Sequence, residues 1–304
     1  MYIVKYRKFF LGLSLLFVVL SFGAIAKFGL KLGIDFTGGS VLQVAYDQVR
    51  PDIETVKKSV EALNLGAATV QEAGDKDVIV RTRSLAEPER QSLIKALSDN
   101  GTIQMTEKKF DSIGPTIGAE LRTKSLWSVL LVILLIVLYI TFAFRKVSYP
   151  VSSWKYGLAA VVALLHDVIV PTGFFVVFNH YVSGEIDVLY VTAILTIVGF
   201  SVHDTIVVFD RIRENLRTGS PKTEFTETVG KSLNQTFGRS INTSLSVILV
   251  LLVLLFAGGE STKNFALLLT VGIFFGTYSS IFLASPLLIL IKEMQDKKLA
   301  KGKK

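Results

Sequence analysis

The chain has 304 residues, half of them hydrophobic, and a mean hydropathy of +0.51, so it is long enough for two soluble domains but lacks their composition. Its apolar residues gather in six runs of about 20, the length that crosses a ~30 Å hydrocarbon core, and this makes it a polytopic α-helical membrane protein. The formal charge of +8 is distributed against nucleic-acid binding, and with no cysteine there is no disulfide framework, thiolate chemistry or thiolate metal site.

Residues 1–29 hold the first run, Phe9–Phe28, behind a basic start. Ala24-Ile25-Ala26 near its end resembles a signal-peptidase site, but the apolar stretch is longer than a usual signal core, so a retained membrane helix is expected. The polar stretch 30–124 follows. "GIDFTGGS", Gly33 to Ser40, lacks the lysine of a phosphate cradle and leads into a strand, so it predicts a tight turn. "SVLQVAYD" alternates as a half-buried strand. "RPDIETVKKSVEALN" predicts a helix with Pro51 at its start and Ile53, Val56, Val60 and Leu63 on one face. "AATVQEA" and "DVIVRTR" predict a hairpin around "GDKD". A second helix, "AEPERQSLIKALSDNG", is closed by Gly101, and "TIQMTEKKFDSIG" supplies a last strand. The order βαββαβ is the ferredoxin-like plan of an α+β domain, expected on the extracytoplasmic side.

Five further runs make up 125–291: Ser125–Phe144, Tyr156–Phe178, Val188–Val208, Ser240–Phe256 and Phe265–Ile291. Short loops join them except for 210–239, which turns at Gly219-Ser220-Pro221 between amphipathic stretches and is expected to lie as interfacial helices on the cytoplasmic membrane surface. Residues 292–304 form a basic tail. With the amino terminus in the cytoplasm, the inner segments carry eighteen lysines and arginines, Arg145, Lys146 and Lys222 among them, and the two short outer loops carry one, Lys263. That asymmetry predicts both termini inside.

Enzyme signatures are missing: there is no G-x-x-x-x-G-K-[ST] loop, H-E-x-x-H or G-x-S-x-G. The polar residues inside the runs are more telling. "ALLHDVIVP" places His166 and Asp167 about 16 Å deep in the third run, with Pro171 one turn on to weaken the helix. "SVHDTIVV" places His203 and Asp204 in the fourth, Asp204 about 9 Å from the inner boundary. Arg239, Asn242, Thr243, Ser244 and Ser246 open the fifth, while Gly272, Gly276, Thr277, Ser279 and Ser280 give the sixth a small-residue packing face.

Ionisable groups in spanning helices usually mark an ion or proton path. Burying the charged form of Asp204 costs free energy that a guanidinium offsets, so an Arg239 that approaches and withdraws would drive proton release and uptake. The expected relay is Asp204, Arg239 and Asp167, with His203, His166 and Thr243 as modulators. No metal and no cofactor beyond the coupling proton is called for. A carboxylate and an arginine in a helix bundle without a nucleotide site read as proton-coupled transport rather than as an enzyme.

"GIDFTGGS" after the first run, "VHDTIVVFDRIREN" ending the fourth, "SLNQTFGRSINTSL" entering the fifth and "GTYSSIFLASPLL" in the sixth resemble the signature blocks of the SecF family, in order and across nearly the whole chain. The resemblance implies a half of the SecD–SecF protein-export accessory, of the resistance-nodulation-division superfamily, in the bacterial inner membrane. It implies SecD, the SecYEG channel and YajC as partners, the proton-motive force as the driver, and an unfolded exported polypeptide as the client. The family's relay acid falls on Asp204, its partner arginine on Arg239, and a further polar position on Asp167. Two other readings stay open: half of a proton-driven small-molecule or lipid exporter, and a purely structural subunit in which the acid only packs.

Overall fold

A computed structural model describes residues 2–144, 151–182, 184–219 and 223–301. Arg145, Lys146, Ser220, Pro221 and Lys222 therefore lie outside the described residues, with the last three of the tail. In chain order the elements are α1 (Tyr2–Lys5), α2 (Arg7–Phe28), α3 (Ile34–Thr37), β1 (Gly39–Tyr46), α4 (Ile53–Glu61), β2 (Thr69–Ala73), β3 (Asp77–Thr82), α5 (Glu87–Leu97) and β4 (Met105–Ile113). There follow α6 (Pro115–Ala143), α7 (Ser153–Val182), α8 (Val188–Thr218), α9 (Phe225–Ala257) and α10 (Glu260–Ser279), which runs through a π-helical turn, Ser280–Ala284, into α11 (Ser285–Lys301). Among the described residues six helices are long and apolar enough to cross a membrane: α2, α6, α7, α8, α9 and the α10–α11 rod. Two units result: residues 31–127 with 185–188, and the remainder.

The smaller unit has the expected plan, an antiparallel sheet ordered β2-β3-β1-β4. Strand alternation turns Leu42, Val44 and Tyr46 of β1 and Val78 and Val80 of β3 onto one face, where Val56 and Val60 of α4 and Leu93 and Leu97 of α5 cover them. Each such aliphatic side chain, fully buried, contributes about 1.5–3 kcal/mol. The phenol of Tyr46 donates to the Leu97 carbonyl at 3.1 Å, and burial raises its pKa. Helix α4 starts later than expected: Asp52, not Pro51, precedes it and accepts from the Glu54 N–H at 3.2 Å. Helix α5 ends at Leu97, before Gly101, and the chain leaves through three left-handed residues, Asp99, Asn100 and Gly101.

The double glycine is more than a turn. Gly38 and Gly39 have φ of +72° and +132°, and a Cβ on either would stand 2.8 Å from the Pro115 Cα or 2.7 Å from the Thr82 carbonyl oxygen. Gly118 reciprocates, since its Cβ would meet the Gly38 nitrogen at 2.7 Å. Backbone therefore lies on backbone where β1 begins and α6 leaves.

In the larger unit α7 packs against α2 and α10, and α9 against α10. The small-residue face of α10 meets α8: a Cβ on Gly272 would strike Ile197 at 2.1 Å, and one on Gly276 would touch Ser201 at 3.2 Å. Gly173 of α7 gives Ser21 of α2 the same close approach. Pro171 is carried inside α7 without ending it. Helix α6, by contrast, turns Leu130, Leu134 and Leu138 outward, as a lipid-facing helix does.

In the segment 210–239 helix lies on both sides of Gly219: α8 continues unbroken to Thr218 and α9 starts at Phe225, so both spans extend past the apolar boundary. The reason is packing: Phe209 and Ile212 on α8, and Val229 and Leu233 on α9, stay buried, so the inward stripes outlast the spans. Asn215 donates to Ser232 Oγ and Gln235 Oε1, each at 2.8 Å, and ties the two extensions together. Arg211 and Arg213 form local ion pairs with Glu214 and Asp210.

Candidate functional site

Asp167 sits on the inward face of α7, wholly buried. Both oxygens of its carboxylate have partners. His166 Nδ1 lies 2.8 Å from Oδ1, Ser279 Oγ of α10 donates to Oδ2 at 2.6 Å, and Ser201 Oγ of α8 donates to the same oxygen. One acid thus gathers three helices. His166 is equally buried; its Nε2 has no partner, and the ring lies against Tyr278 and Phe275 of α10 with centroids 6.1 and 6.2 Å away.

The polar seam continues toward the carboxyl end of α8. Ser280, in the π-helical turn, meets Thr205 Oγ1 at 2.9 Å and donates to the Ser201 carbonyl at 3.4 Å. The extra residue of a π turn lets Ser279 and Ser280, neighbours in sequence, both reach inward, one to Asp167 and the other to α8.

Asp204 is buried beside this seam, with Ser240 of α9 and Thr277 of α10 close to its carboxyl group. Among the described residues its Oδ2 has no hydrogen-bond partner, and neither has the buried Ser240 Oγ. Thr277 is already committed to the Ile273 carbonyl, at 3.0 Å, and to Ser244. A carboxyl oxygen kept from water without a donor is costly, roughly 1–3 kcal/mol for a neutral group and more for a charged one. A carboxyl in such surroundings is favoured when it is protonated or paired with a cation.

The other anticipated residues are placed differently. His203, next to Asp204, points about 100° away and is exposed. Arg239 is exposed on α9 and makes no ion pair with the described residues; Ser240, the next residue, faces the acid instead. Thr243 is half-buried. The structure thus joins Asp167 to His166 and, among the described residues, shows no hydrogen bond or ion pair linking Asp204, Arg239 and Thr243. Ser201, Thr205 and Ser240 were not anticipated. A readable signal existed for one of them: Thr228, Ser232, Thr236, Ser240 and Ser244 recur every four residues and form a buried hydroxyl stripe down α9.

Residues 92–294 match the family described as protein export membrane protein SecD/SecF, C-terminal. The chain is 44% identical to protein translocase subunit SecF of Thermobaculum terrenum over 94% of its own length and 92% of that protein. It belongs to the SecD/SecF family. Residues 23–48 also match the SecD/SecF GG motif, the stretch whose glycines lie on Pro115 and Thr82. The SecF subunit of Sebaldella termitidis is 36% identical over 99% of this chain and 96% of that one. Among solved structures, SecDF of Thermus thermophilus superposes with a TM-score of 0.83 at 32% identity, covering 96% of this chain and 39% of the SecDF chain. The fold is accordingly that of a SecDF-like multi-pass membrane protein with a small sheet domain.

Proposed function

We propose that this chain is the SecF half of a SecD–SecF pair that uses the proton-motive force to assist protein export across the bacterial inner membrane. Its relatives are named as translocase subunits, which supports a role in the Sec pathway. In the SecDF proteins of Bacillus subtilis and Thermus thermophilus the matching part is 38% and 39% of one longer chain, which supports SecD as the missing companion here. The SecYEG channel and YajC are the neighbours expected around that pair, and an unfolded polypeptide is the client. The lysine and arginine bias supports both termini inside.

The observation that carries the mechanism is the unpartnered Oδ2 of Asp204 inside a spanning helix. Asp204 is the proton carrier: neutral while isolated beside Ser240 and Thr277, ionised when Arg239 swings in from its exposed position. Asp167 and His166 stand one turn further along the seam as the next polar pair, with His203 and Thr243 as modulators. No cofactor besides the proton takes part. In membrane vesicles carrying the SecD–SecF pair, Asp204→Asn should remove the gradient-dependent part of export while leaving ATP-driven export and SecD co-purification unchanged. Gradient-dependent export by that variant would overturn the reading.

A further inference from the structure

The carrier helix α8 is held at its first residue by the loop that bears the double glycine. Three contacts make this joint, all within the smaller unit. The Asp35 carboxylate, on α3, accepts from the Val188 backbone N–H at 2.9 Å. Gly33 and Ile186 are tied by backbone: the Gly33 N–H donates to the Ile186 carbonyl and the Ile186 N–H to the Lys31 carbonyl, each at 2.8 Å, in a parallel bridge between Leu32 and Ile186. Arg81, on the central strand β3, pairs with Glu185 at 2.8 Å. The fit around Gly33 is close, since a Cβ there would sit 3.3 Å from the Ile186 carbonyl oxygen.

A carboxylate on the first N–H of a long helix satisfies an orphan donor and complements the positive end of the helix dipole. Here it comes from a residue 153 positions earlier in the chain, so the cap is also a mechanical link. Asp204 lies 16 residues further along the same unbroken helix, about 24 Å. A helix of regular backbone hydrogen bonds transmits axial displacement with little loss, and the joint ends on the strand that forms the sheet's centre.

We infer that Asp35, with Glu185 and Arg81, is a positioning site that makes α8 the push-rod between the proton site and the sheet domain. Movement of α8 when Asp204 changes its protonation or its partner is delivered through Val188 and residues 31–35 to β1 and β3. The inference rests on Asp204 as the proton carrier; it adds which residues convert that event into motion of the sheet domain.

The test uses the SecD–SecF pair in vesicles, with gradient-dependent export measured over ATP-driven export. Asp35→Ala removes the acceptor, and the loss of such a cap should lower the gradient-dependent increment about five-fold. Asp35→Asn keeps a carbonyl acceptor and should retain most of it, which a merely structural use of the charge would not predict. The chain has no cysteine, so Leu32→Cys with Ile186→Cys supplies a lone pair of thiols at strand-bridge spacing, suited to a disulfide. Oxidising that pair in the Asp35→Ala background should restore the increment, and reduction should remove it again. Wild-type export by Asp35→Ala, or an oxidised pair that fails to restore it, overturns the inference. Asp204→Asn run in parallel separates the two ideas: if it keeps gradient-dependent export, the carrier assignment falls; if it loses it while Asp35→Ala does not, only the push-rod falls.

Discussion

Asp167 and Asp204 are two carboxylates on adjacent spanning helices, both buried, each beside a histidine in the same His-Asp order. Asp167 has every neighbour it can use: two serine hydroxyls from α8 and α10 and the ring of His166. Asp204 has serine and threonine hydroxyls close by and an oxygen bonded to none of them. Burial therefore does not tell the two acids apart, whereas the inventory of donors does; on the proposed reading the acid with an unpaired oxygen is the one that carries the proton.

That contrast can be broken by exchanging what each acid loses. The largest effect is expected on transport. Asp204→Asn should abolish the gradient-dependent increment, which one charge crossing 100 mV can raise by up to a factor of about 50. Its folded stability in detergent should stay within about 0.5 kcal/mol of wild type, as the amide matches the carboxyl group in shape. Asp167→Ala should do the reverse. Two serine hydroxyls and an imidazole lose their acceptor, costing about 3–5 kcal/mol, seen as a lowered thermal midpoint of the purified subunit pair. An Asp167→Ala protein as stable as wild type yet dead in transport would make Asp167 a carrier as well.

A smaller effect sharpens the contrast through packing. Gly272→Ala drives a methyl into Ile197 and should cost about 1–3 kcal/mol, recovered in part by Ile197→Val. Gly276→Ala, whose methyl would press on Ser201 at 3.2 Å, should cost less in stability and act mainly by loosening the Ser201 bond to Asp167. The smallest effect belongs to an exposed carboxylate. Glu89 bonds to Arg83 and to the Ala86 N–H, which hold its pKa down from 4.5 to about 2. A pKa lower in the folded state favours folding above the unfolded value, so the difference between wild type and Glu89→Gln in amide exchange across α5 should be present at pH 6. It should fade as the pH falls from about 4.5 towards about 2.

The sheet domain was legible in outline because its helices and strands are amphipathic with distinct periods, and each period points to one covered face. Its boundaries moved where local chemistry outbid composition, as when Asp52 rather than Pro51 set the start of α4. The double glycine read only as a turn, because nothing local reveals that Pro115 and Thr82 lie against it. That α8 and α9 run on as single long helices was hidden for a related reason: the narrow stripe of Phe209, Ile212, Val229 and Leu233 that keeps the extensions helical is sensed only when the two helices face each other.

Hydropathy runs are properties of consecutive residues, so the six spans, the α+β insert and the presence of two acids in apolar helices follow from the order of amino acids alone. Which acid is satisfied does not, because the donors to Asp167 come from residues 34 and 112 positions away and the nearest hydroxyls to Asp204 from helices later in the chain. Hydrogen bonding acts over about 3 Å, and only the packing of α7, α8, α9 and α10 brings such distant residues that close.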